Sequence, residues 1–272
     1  QRRVSHSVTT KQTHQSWNSA IRAFRHPRVV TMAFLGFSAG LPILLIFSSL
    51  SLWLREAGVE RGAVTFFSWA ALGYSFKFIW APLVDRLDAP FAGRLLGRRR
   101  GWLLLAQLAV MAAIGAMASI DPAVDSNALT WMALAAVALG FSSATQDIII
   151  DAYRIESAGE ELQALMSSTY IAGYRIGMLL AGAGALYLAQ VFGSTAAEYE
   201  YTAWRSAYLC MAGAMLIGVV TTLVISEPER ANSSPPIETG HARLLLVFVI
   251  AVIGLVSVYA YSGPVAIRAK ES

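Results

Sequence analysis

The chain has 272 residues, of which 56% are hydrophobic and 14% are charged, and its formal net charge is +4. A soluble globular domain has about 25% charged residues, so this composition excludes that class and indicates a polytopic membrane protein. The one cysteine, Cys210, lies in an apolar run, and the four histidines lie in polar flanks without metal-ligand spacing. We therefore expect no disulfide framework, no metal site and no cofactor.

Seven apolar runs follow one another along the chain, and each predicts a membrane-spanning helix. A bilayer core of about 30 Å requires about 20 helical residues, and the seventh run, Leu244–Tyr261, is the shortest. Backbone groups in lipid must be satisfied within their own segment, so the expected fold class is all-α. The first six runs are Val29–Leu54, Ala63–Val84, Trp102–Ile120, Leu129–Ile150, Ala164–Phe192 and Trp204–Ile225.

The runs and the polar segments between them divide the chain into four parts. Residues 1–28 form a polar flank, and residues 29–226 are predicted to form a six-helix transporter-like bundle. A cytoplasmic linker, 227–243, then leads to a seventh transmembrane helix with its tail, 244–272.

Lysine and arginine residues are concentrated on one side of the predicted membrane. The flank before Val29 contains six of them and no acid, and the connection Asp85–Gly101 contains five arginines. The next connection carries only Asp121 and Asp125. Because basic segments stay in the cytoplasm, the N-terminus is predicted there, with Ser16–Val30 as an amphipathic helix on the membrane surface. The C-terminus then lies outside with seven spans and inside with six, and the basic flanks contact membrane lipid rather than nucleic acid.

The connection after the second run resembles a cytoplasmic loop of the major facilitator superfamily. PLVDR (Pro82–Arg86) and GRRRGW (Gly97–Trp102) match the halves of that family's pattern Gly-x-x-x-Asp-Arg-x-Gly-Arg-Arg. The first glycine is replaced, and LDAPFAGRLL is inserted. An aspartate at a helix end can cap a helix or pair with arginine, so the resemblance implies a contact that forms and breaks. The alternative is that the arginines only determine topology. This predicted loop latch comprises Asp85, Arg86, Arg98 and Arg99.

Longer stretches resemble the AmpG-type muropeptide permeases of Gram-negative bacteria, relatives of the eukaryotic acetyl-CoA transporters. The resemblance extends over Trp17–Glu229. It implies proton-driven uptake of anhydromuropeptides across the inner membrane, from periplasm to cytoplasm, by two six-helix halves around a central cavity. The stretches are GFSAGLPILLIFSSLSLWLREAGV (Gly36–Val59), LGYSFKFIWAPLVDR (Leu72–Arg86), SSATQDIIIDAYRIE (Ser142–Glu156) and YIAGYRIGMLLAGAGALYLA (Tyr170–Ala189).

The chain contains one such half and one further run, and this leaves three functions open. Alternating access requires one bundle to move against another, so we expect a second half, a homodimer or other membrane subunits as partners. The chain is then half of a muropeptide transporter, half of a carrier for another anionic small molecule, or a scaffold that packs against membrane proteins and transports nothing. No enzyme is expected, because the sequence has no phosphate loop, no His-Glu-x-x-His and no nucleophile elbow.

The fourth run ends in acidic residues. Within ATQDIIIDAYRIE (Ala144–Glu156), Asp147 and Asp151 share one helical face, and Arg154 follows one turn later. Carboxylates at membrane depth are costly, and they persist where they face a cavity, form pairs or accept protons. We predict that Asp147 couples protons or substrate to transport and that Gln146 hydrogen-bonds a polar cargo. For Asp151 the alternatives are the same coupling role and a structural ion pair with Arg154.

Two cations lie within otherwise apolar runs. Lys77 lies late in the second run, where it either faces the bundle interior or extends to the cytoplasmic surface. Arg175 lies about one-third of the way into the fifth run, far from either surface. We expect Arg175 to face the interior, where it pairs with Asp147 or binds an anionic cargo.

Small residues predict where helices approach each other or bend. Gly173 and Gly177, four residues apart, form a stripe that allows close contact with a neighbouring helix. Gly36, Gly40 and Pro42 predict a break or bend in the first run.

Overall fold

The computed structural model describes most of the predicted bundle. The second predicted run is described only from Tyr74 onward, and residues 63–73 lie outside the described part. The same is true of most of the predicted surface helix, of linker residues 229–243 and of most of the seventh run. The described residues are 24–59, 74–90, 92–124, 126–228, 246, 249 and 250.

Five described helices are long and apolar enough to cross a membrane. They correspond to the first, third, fourth, fifth and sixth predicted runs and are called spans by those ordinals. Helices joined by turns and irregular loops make up the described residues, with no strand among them, so the all-α polytopic fold class is confirmed. In chain order the spans are Pro27–Glu56, Arg98–Ala118, Asn127–Ser157, Leu162–Val191 and Tyr201–Val224.

The first and fifth spans each contain one turn of π-helix, and these two turns face each other. The first span stays helical through Pro42, and its irregular turn, Leu45–Ser49, comes directly afterwards. The fifth span has its π-turn at Leu180–Gly184. A π-turn interrupts the regular backbone hydrogen bonds of an α-helix, so some carbonyl oxygens can accept hydrogen bonds from side chains instead. Ser49 Oγ donates to Ala181 O at 2.7 Å, and Tyr208 Oη donates to Leu45 O at 2.9 Å.

The remaining helices are mostly regular. The helix of the fourth span is the longest described helix, and the sixth span consists of two helices joined at Met215. Before the third span the chain forms a 3₁₀ turn and two short helices. The 3₁₀ turn is Lys77–Ile79, and the two short helices are Ala81–Arg86 and Ala92–Leu96. The helices of the third, fourth and sixth spans are Arg98–Ala118, Ser126–Ser157, Tyr201–Ala214 and Leu216–Val224.

Glycines allow the first and fifth spans to cross in backbone contact. A Cβ atom added to Gly173 would lie 2.0 Å from Ala33 O, and one on Gly36 would lie 2.2 Å from Tyr170 O. The same holds for Gly177 against Phe37 and for Gly40 against Tyr174. Any side chain at these positions would push the two helices apart. The crossing therefore fixes how the fifth span, with its tyrosines, lies against the rest of the bundle.

The buried apolar residues form two clusters, one toward each membrane surface. We call these regions the Pro27 end and the Glu56 end, after the limits of the first span. The cluster at the Pro27 end includes Met32 and Trp80, and the one at the Glu56 end includes Trp53 and Trp204. The spans alternate in direction, so the Pro27 end also holds the start of the third span and the ends of the fourth and sixth.

Aromatic rings fill the Glu56 end. Trp53 stacks on Trp204 with ring centroids 5.7 Å apart and an interplanar angle of 2°, and Tyr208 lies 4.8 Å from Trp53. All three side chains are fully buried. We call Trp53, Tyr199, Trp204 and Tyr208 the aromatic lock. Tyr199 belongs to it because its hydroxyl accepts a hydrogen bond from Trp53 Nε1 at 3.2 Å.

Polar atoms of the aromatic lock form hydrogen bonds with neighbouring acidic and polar side chains. The Glu56 carboxylate accepts hydrogen bonds from Trp204 Nε1 and from Ser194 Oγ, both at 2.7 Å. Tyr199 Oη donates to Asp121 Oδ1 at 2.8 Å. Tyr199 lies in the connection between the fifth and sixth spans, where burial raises the pKa of its hydroxyl above the usual value. This phenol therefore stays protonated and keeps donating to the carboxylate.

Candidate functional site

Asp147 lies on the fourth span among tyrosines of the neighbouring helices. The hydroxyl of Tyr170 donates to Asp147 Oδ1 at 3.3 Å, and the ring of Tyr174 lies 5.9 Å from that of Tyr170. Tyr74 donates to Ser143 Oγ at 2.8 Å, one helical turn before Asp147. This tyrosine-lined carboxylate can accept a proton or a hydrogen bond while most of its surroundings stay apolar.

Lys77 is a cation whose charge acts on this carboxylate. Its charge interacts with Asp147, and so does the charge of Asp151. Lys77 lies in the 3₁₀ turn before the short helix Ala81–Arg86 and is partly exposed. Its flexible stem can therefore bring the ammonium group toward Asp147 or toward the surface.

The predicted pair between Asp147 and Arg175 does not form in the structure. Tyr170 and Tyr174 are four residues apart on the fifth helix and face Asp147, whereas Arg175 is turned about 100° away from Tyr174. Arg175 is exposed and makes no ion pair within the described part of the chain. Within the described bundle, Tyr170 rather than Arg175 therefore meets Asp147, because one residue of helical rotation decides which side chain reaches the carboxylate.

Gln146 is turned to another side of the same helix, and Asp151 lies one turn beyond Asp147 on the same face. Gln146 is fully buried, and its Nε2 donates to Ser38 Oγ of the first span at 3.2 Å. Asp151 is exposed and pairs with Arg154, whose Nη2 lies 3.2 Å from Asp151 Oδ1. Arg154 also donates to Ser167 of the fifth span. The ion pair is the arrangement that the structural alternative for Asp151 predicts.

The loop latch closes around the guanidinium of Arg99, whose side chain is only 5% exposed. Arg99 Nη1 lies 2.7 Å from Asp85 Oδ1. Its Nη2 and Nε donate to the two oxygens of Glu156 at 2.5 and 2.9 Å, in the two-pronged geometry that suits arginine. Arg98 donates to Glu156 Oε1 at 3.1 Å and to the backbone oxygen of Asp85. These contacts join the second connection to the end of the fourth span.

Glu227 extends the loop latch to the end of the sixth span. Its two carboxylate oxygens accept hydrogen bonds from the backbone N–H groups of Arg99 at 2.8 Å and Arg100 at 3.0 Å. These N–H groups open the third span and have no partner within their own helix, so an acid there is favourable. Gly97 has φ +92°, and a Cβ on it would lie 2.5 Å from the Glu227 side chain. Glycine meets both demands at this position.

Sequence reasoning missed Glu156 and Glu227. Glu156 ends the acidic stretch of the fourth run, and Glu227 is the first acid after the sixth run. Both positions follow a predicted span that ends on the same side as the arginine-rich connection. Complementary charge at that membrane surface was the signal that could have found them. Arg86, the remaining residue of the predicted loop latch, ends the short helix before the connection.

The family profile named Major Facilitator Superfamily matches residues 89–268, more than half of the chain. The chain belongs to this superfamily. Membership confirms the resemblance inferred from the PLVDR and GRRRGW segments. The relatives that match this chain carry the names of transporters and permeases rather than of enzymes.

Curated relatives within the superfamily narrow the resemblance. The chain is 36% identical over 208 residues to the anhydromuropeptide permease of Escherichia coli strain K12, which covers 76% of this chain and 39% of that protein. It is 37% identical over 208 residues to the putative transporter AmpG 4 of Rickettsia felis, covering 76% of this chain and 47% of the relative. An uncharacterized Haemophilus influenzae protein is 34% identical over 205 residues, covering 75% of this chain and 44% of that protein. The chain thus spans less than half the length of these superfamily members, and its resemblance to AmpG-type permeases is confirmed.

Proposed function

We propose that this chain forms the first half of a proton-coupled secondary transporter that carries anhydromuropeptides across the bacterial inner membrane. The observation that carries the proposal is Asp147, a carboxylate within a membrane span that is held by a tyrosine hydroxyl and acted on by Lys77. An acid at this depth is costly unless it serves exchange of protons or binding of a polar cargo. Similarity to an anhydromuropeptide permease supports the choice of cargo.

In this proposal Asp147 and the side chains near it have separate roles in transport. Asp147 takes up a proton on one side of the membrane and releases it on the other. The hydroxyl of Tyr170 holds the ionised carboxylate when the proton has left. Arg175, exposed on the fifth span, lies where a second bundle can approach and offers a cation to the peptide carboxylates of the cargo. Gln146 supports the fourth span from the buried side.

The loop latch is assigned the role of holding one conformation. Its ion pairs join the second connection to the ends of the fourth and sixth spans. When one bundle rocks against the other, such contacts can break at one membrane surface while the helices stay intact. The proposed orientation puts the loop latch and the N-terminus in the cytoplasm, because the Pro27 end carries most of the described arginines.

The proposal is tested with Asp147→Asn in the full-length protein, expressed in cells that lack their own muropeptide permease. Uptake of a radiolabelled anhydromuropeptide is measured with and without an imposed proton gradient. We expect the wild-type protein to respond to the gradient and the variant to lose that response, because asparagine does not exchange protons. The matched control is Asp151→Asn, one turn away and paired with Arg154, which is expected to keep gradient-driven uptake.

Two outcomes would contradict the proposal. Unchanged gradient-driven uptake in Asp147→Asn would remove Asp147 from proton coupling. Absence of uptake by the wild-type protein, together with co-purification of a fixed membrane partner, would favour the scaffold alternative. Competition by other anionic solutes distinguishes a muropeptide carrier from a carrier of different cargo.

A further inference from the structure

Four polar side chains meet in the buried interior of the bundle, apart from the carboxylate of Asp147 and the loop latch. We call them the amide node: Ser38, Gln107, Gln146 and Thr222. They come from the first, third, fourth and sixth spans respectively, and each is 0% exposed. Polar groups this deep in a membrane bundle persist when they are paired, so the hydrogen bonds of each atom can be followed one by one.

The hydrogen bonds within the amide node agree with the orientation of both glutamines in the structure. Ser38 Oγ donates to Leu35 O at 2.9 Å, so this hydroxyl can only accept from Gln146, whose Nε2 lies 3.2 Å away. Thr222 Oγ1 donates to Gln107 Oε1 at 2.9 Å. Two atoms then lack a partner within the described part of the chain: Gln107 Nε2, which is a donor, and Gln146 Oε1, which is an acceptor.

Both unpaired groups lie around the Ser38 hydroxyl. A Cβ on Gly218 of the sixth span would lie 2.6 Å from Ser38 Oγ and 3.0 Å from Gln107 Nε2. Gln107 Nε2 therefore lies no more than about 5.6 Å from the same hydroxyl that binds the amide of Gln146, since both atoms approach one point on Gly218. One unpaired group can only donate and the other can only accept, so a molecule that does both would satisfy the pair.

We propose that the amide node binds one internal water molecule that bridges Gln107 and Gln146. The water accepts a hydrogen bond from Gln107 Nε2 and donates one to Gln146 Oε1, with the second lone pair of Ser38 Oγ as a third partner. Buried waters make two to four hydrogen bonds to polar groups that otherwise have none, and the amide node offers that number. The bridge links the third span to the fourth through the residue before Asp147. This inference does not depend on the role of Asp147 in transport.

The direct test is a cryo-electron microscopy map of the full-length protein in lipid nanodiscs, at a resolution where ordered waters are visible. We expect a density feature within hydrogen-bond distance, about 2.7–3.2 Å, of both Gln107 Nε2 and Gln146 Oε1. A map with no feature there, or with the two amides in direct contact, overturns the proposal.

A double-mutant cycle tests the same bridge in solution, with methionine as an apolar residue of similar length. Gln107→Met and Gln146→Met are each expected to lower the melting temperature by about 2–4 °C, because each leaves the water and the other amide short of a partner. The double variant is expected to lose less than the sum of the two losses, since the whole bridge is gone.

The control pair combines Gln146→Met with Thr222→Val. Thr222 binds the oxygen of Gln107, which lies outside the bridge, so these two losses are expected to add. Additive losses for the two glutamines would overturn the proposal. So would a coupling between Thr222 and Gln146 as large as that between Gln107 and Gln146, because this would indicate general packing.

Discussion

The two ends of the bundle are held together by different physics. At the Pro27 end, the loop latch joins three segments through ion pairs around Arg99 and through the carboxylate of Glu227. At the Glu56 end, the aromatic lock joins the first and sixth spans through stacked, fully buried rings and neutral donors. Both carboxylates in the ion pairs of the loop latch are partly exposed, so water can solvate them when the pairs separate, whereas opening a buried aromatic cluster exposes a large apolar area. The difference indicates that the Glu56 end is the more rigid of the two.

The aromatic lock is expected to show the largest effect. Trp53→Ala removes a fully buried ring from the stack with Trp204 and should lower the free energy of unfolding by about 3–5 kcal/mol. Denaturant unfolding of the full-length protein in detergent measures this loss. Trp131→Ala is the matched control, because that tryptophan is 64% exposed on the fourth span. An equal loss in the two variants would contradict the assignment of the Glu56 end as the rigid one.

The loop latch is expected to show a somewhat smaller effect that depends on salt. Arg99→Met leaves the Glu156 and Asp85 carboxylates with fewer partners and should lower the free energy of unfolding by about 3 kcal/mol. Glu156 should account for most of this loss, because water reaches the Asp85 carboxylate and solvates it. Raising the salt concentration should narrow the gap between this variant and the wild type, and it should leave the Trp53→Ala loss unchanged.

The control for the loop latch is Arg94→Met. Arg94 lies in the same connection, is exposed and makes no ion pair among the described residues. Its replacement is expected to change stability by less than about 0.5 kcal/mol. A loss for Arg94→Met equal to that for Arg99→Met would mean that the arginines act through net charge alone, as the topology alternative holds.

The crossing of the first and fifth spans connects the two ends and is expected to show the smallest effect. Gly173→Ala places a methyl group 2.0 Å from the backbone oxygen of Ala33, so the helices must separate. We expect a loss of about 2 kcal/mol in unfolding free energy. The matched control is Gly115→Ala in the third span, where a Cβ meets nothing within 4 Å. That variant should gain about 0.5–1 kcal/mol, because alanine is the better helix former. Losses of similar size in both would exclude the backbone contact as the cause.

The sequence predicted the spans well because a membrane helix requires a continuous run of apolar residues, which local composition shows directly. The third run was predicted at Trp102–Ile120, and the third span is Arg98–Ala118. The fourth helix continues to Ser157, past the predicted end at Ile150, because backbone hydrogen bonds continue where hydropathy no longer signals a span. The first span stays helical at Gly36, Gly40 and Pro42, where a break or bend was predicted, and its irregular π-turn follows at Leu45–Ser49. At the two glycines the fifth span makes close contact.

The candidate site was predicted less completely. Asp85, Arg98 and Arg99 were singled out from a motif, and they do meet in the loop latch. Glu156 and Glu227 escaped notice because they lie 57 and 128 residues beyond Arg99 in the chain. Spacing along one helix placed Asp147 and Asp151 on one side, yet it contained no information about which residue of the fifth span would face them.

The amino-acid sequence alone determined that this protein is a helical membrane protein of a transporter family. It also determined that its arginines are concentrated near one membrane surface. Hydropathy, charge and short motifs depend only on residues close together in the sequence, so they can be read without a tertiary structure. The tertiary structure alone decided that Tyr170 rather than Arg175 meets Asp147, and that Glu227 caps the third span. It also decided that two glutamines converge on Ser38. Those pairings depend on how packed helices are rotated about their own axes, and a rotation of one residue exchanges one partner for another.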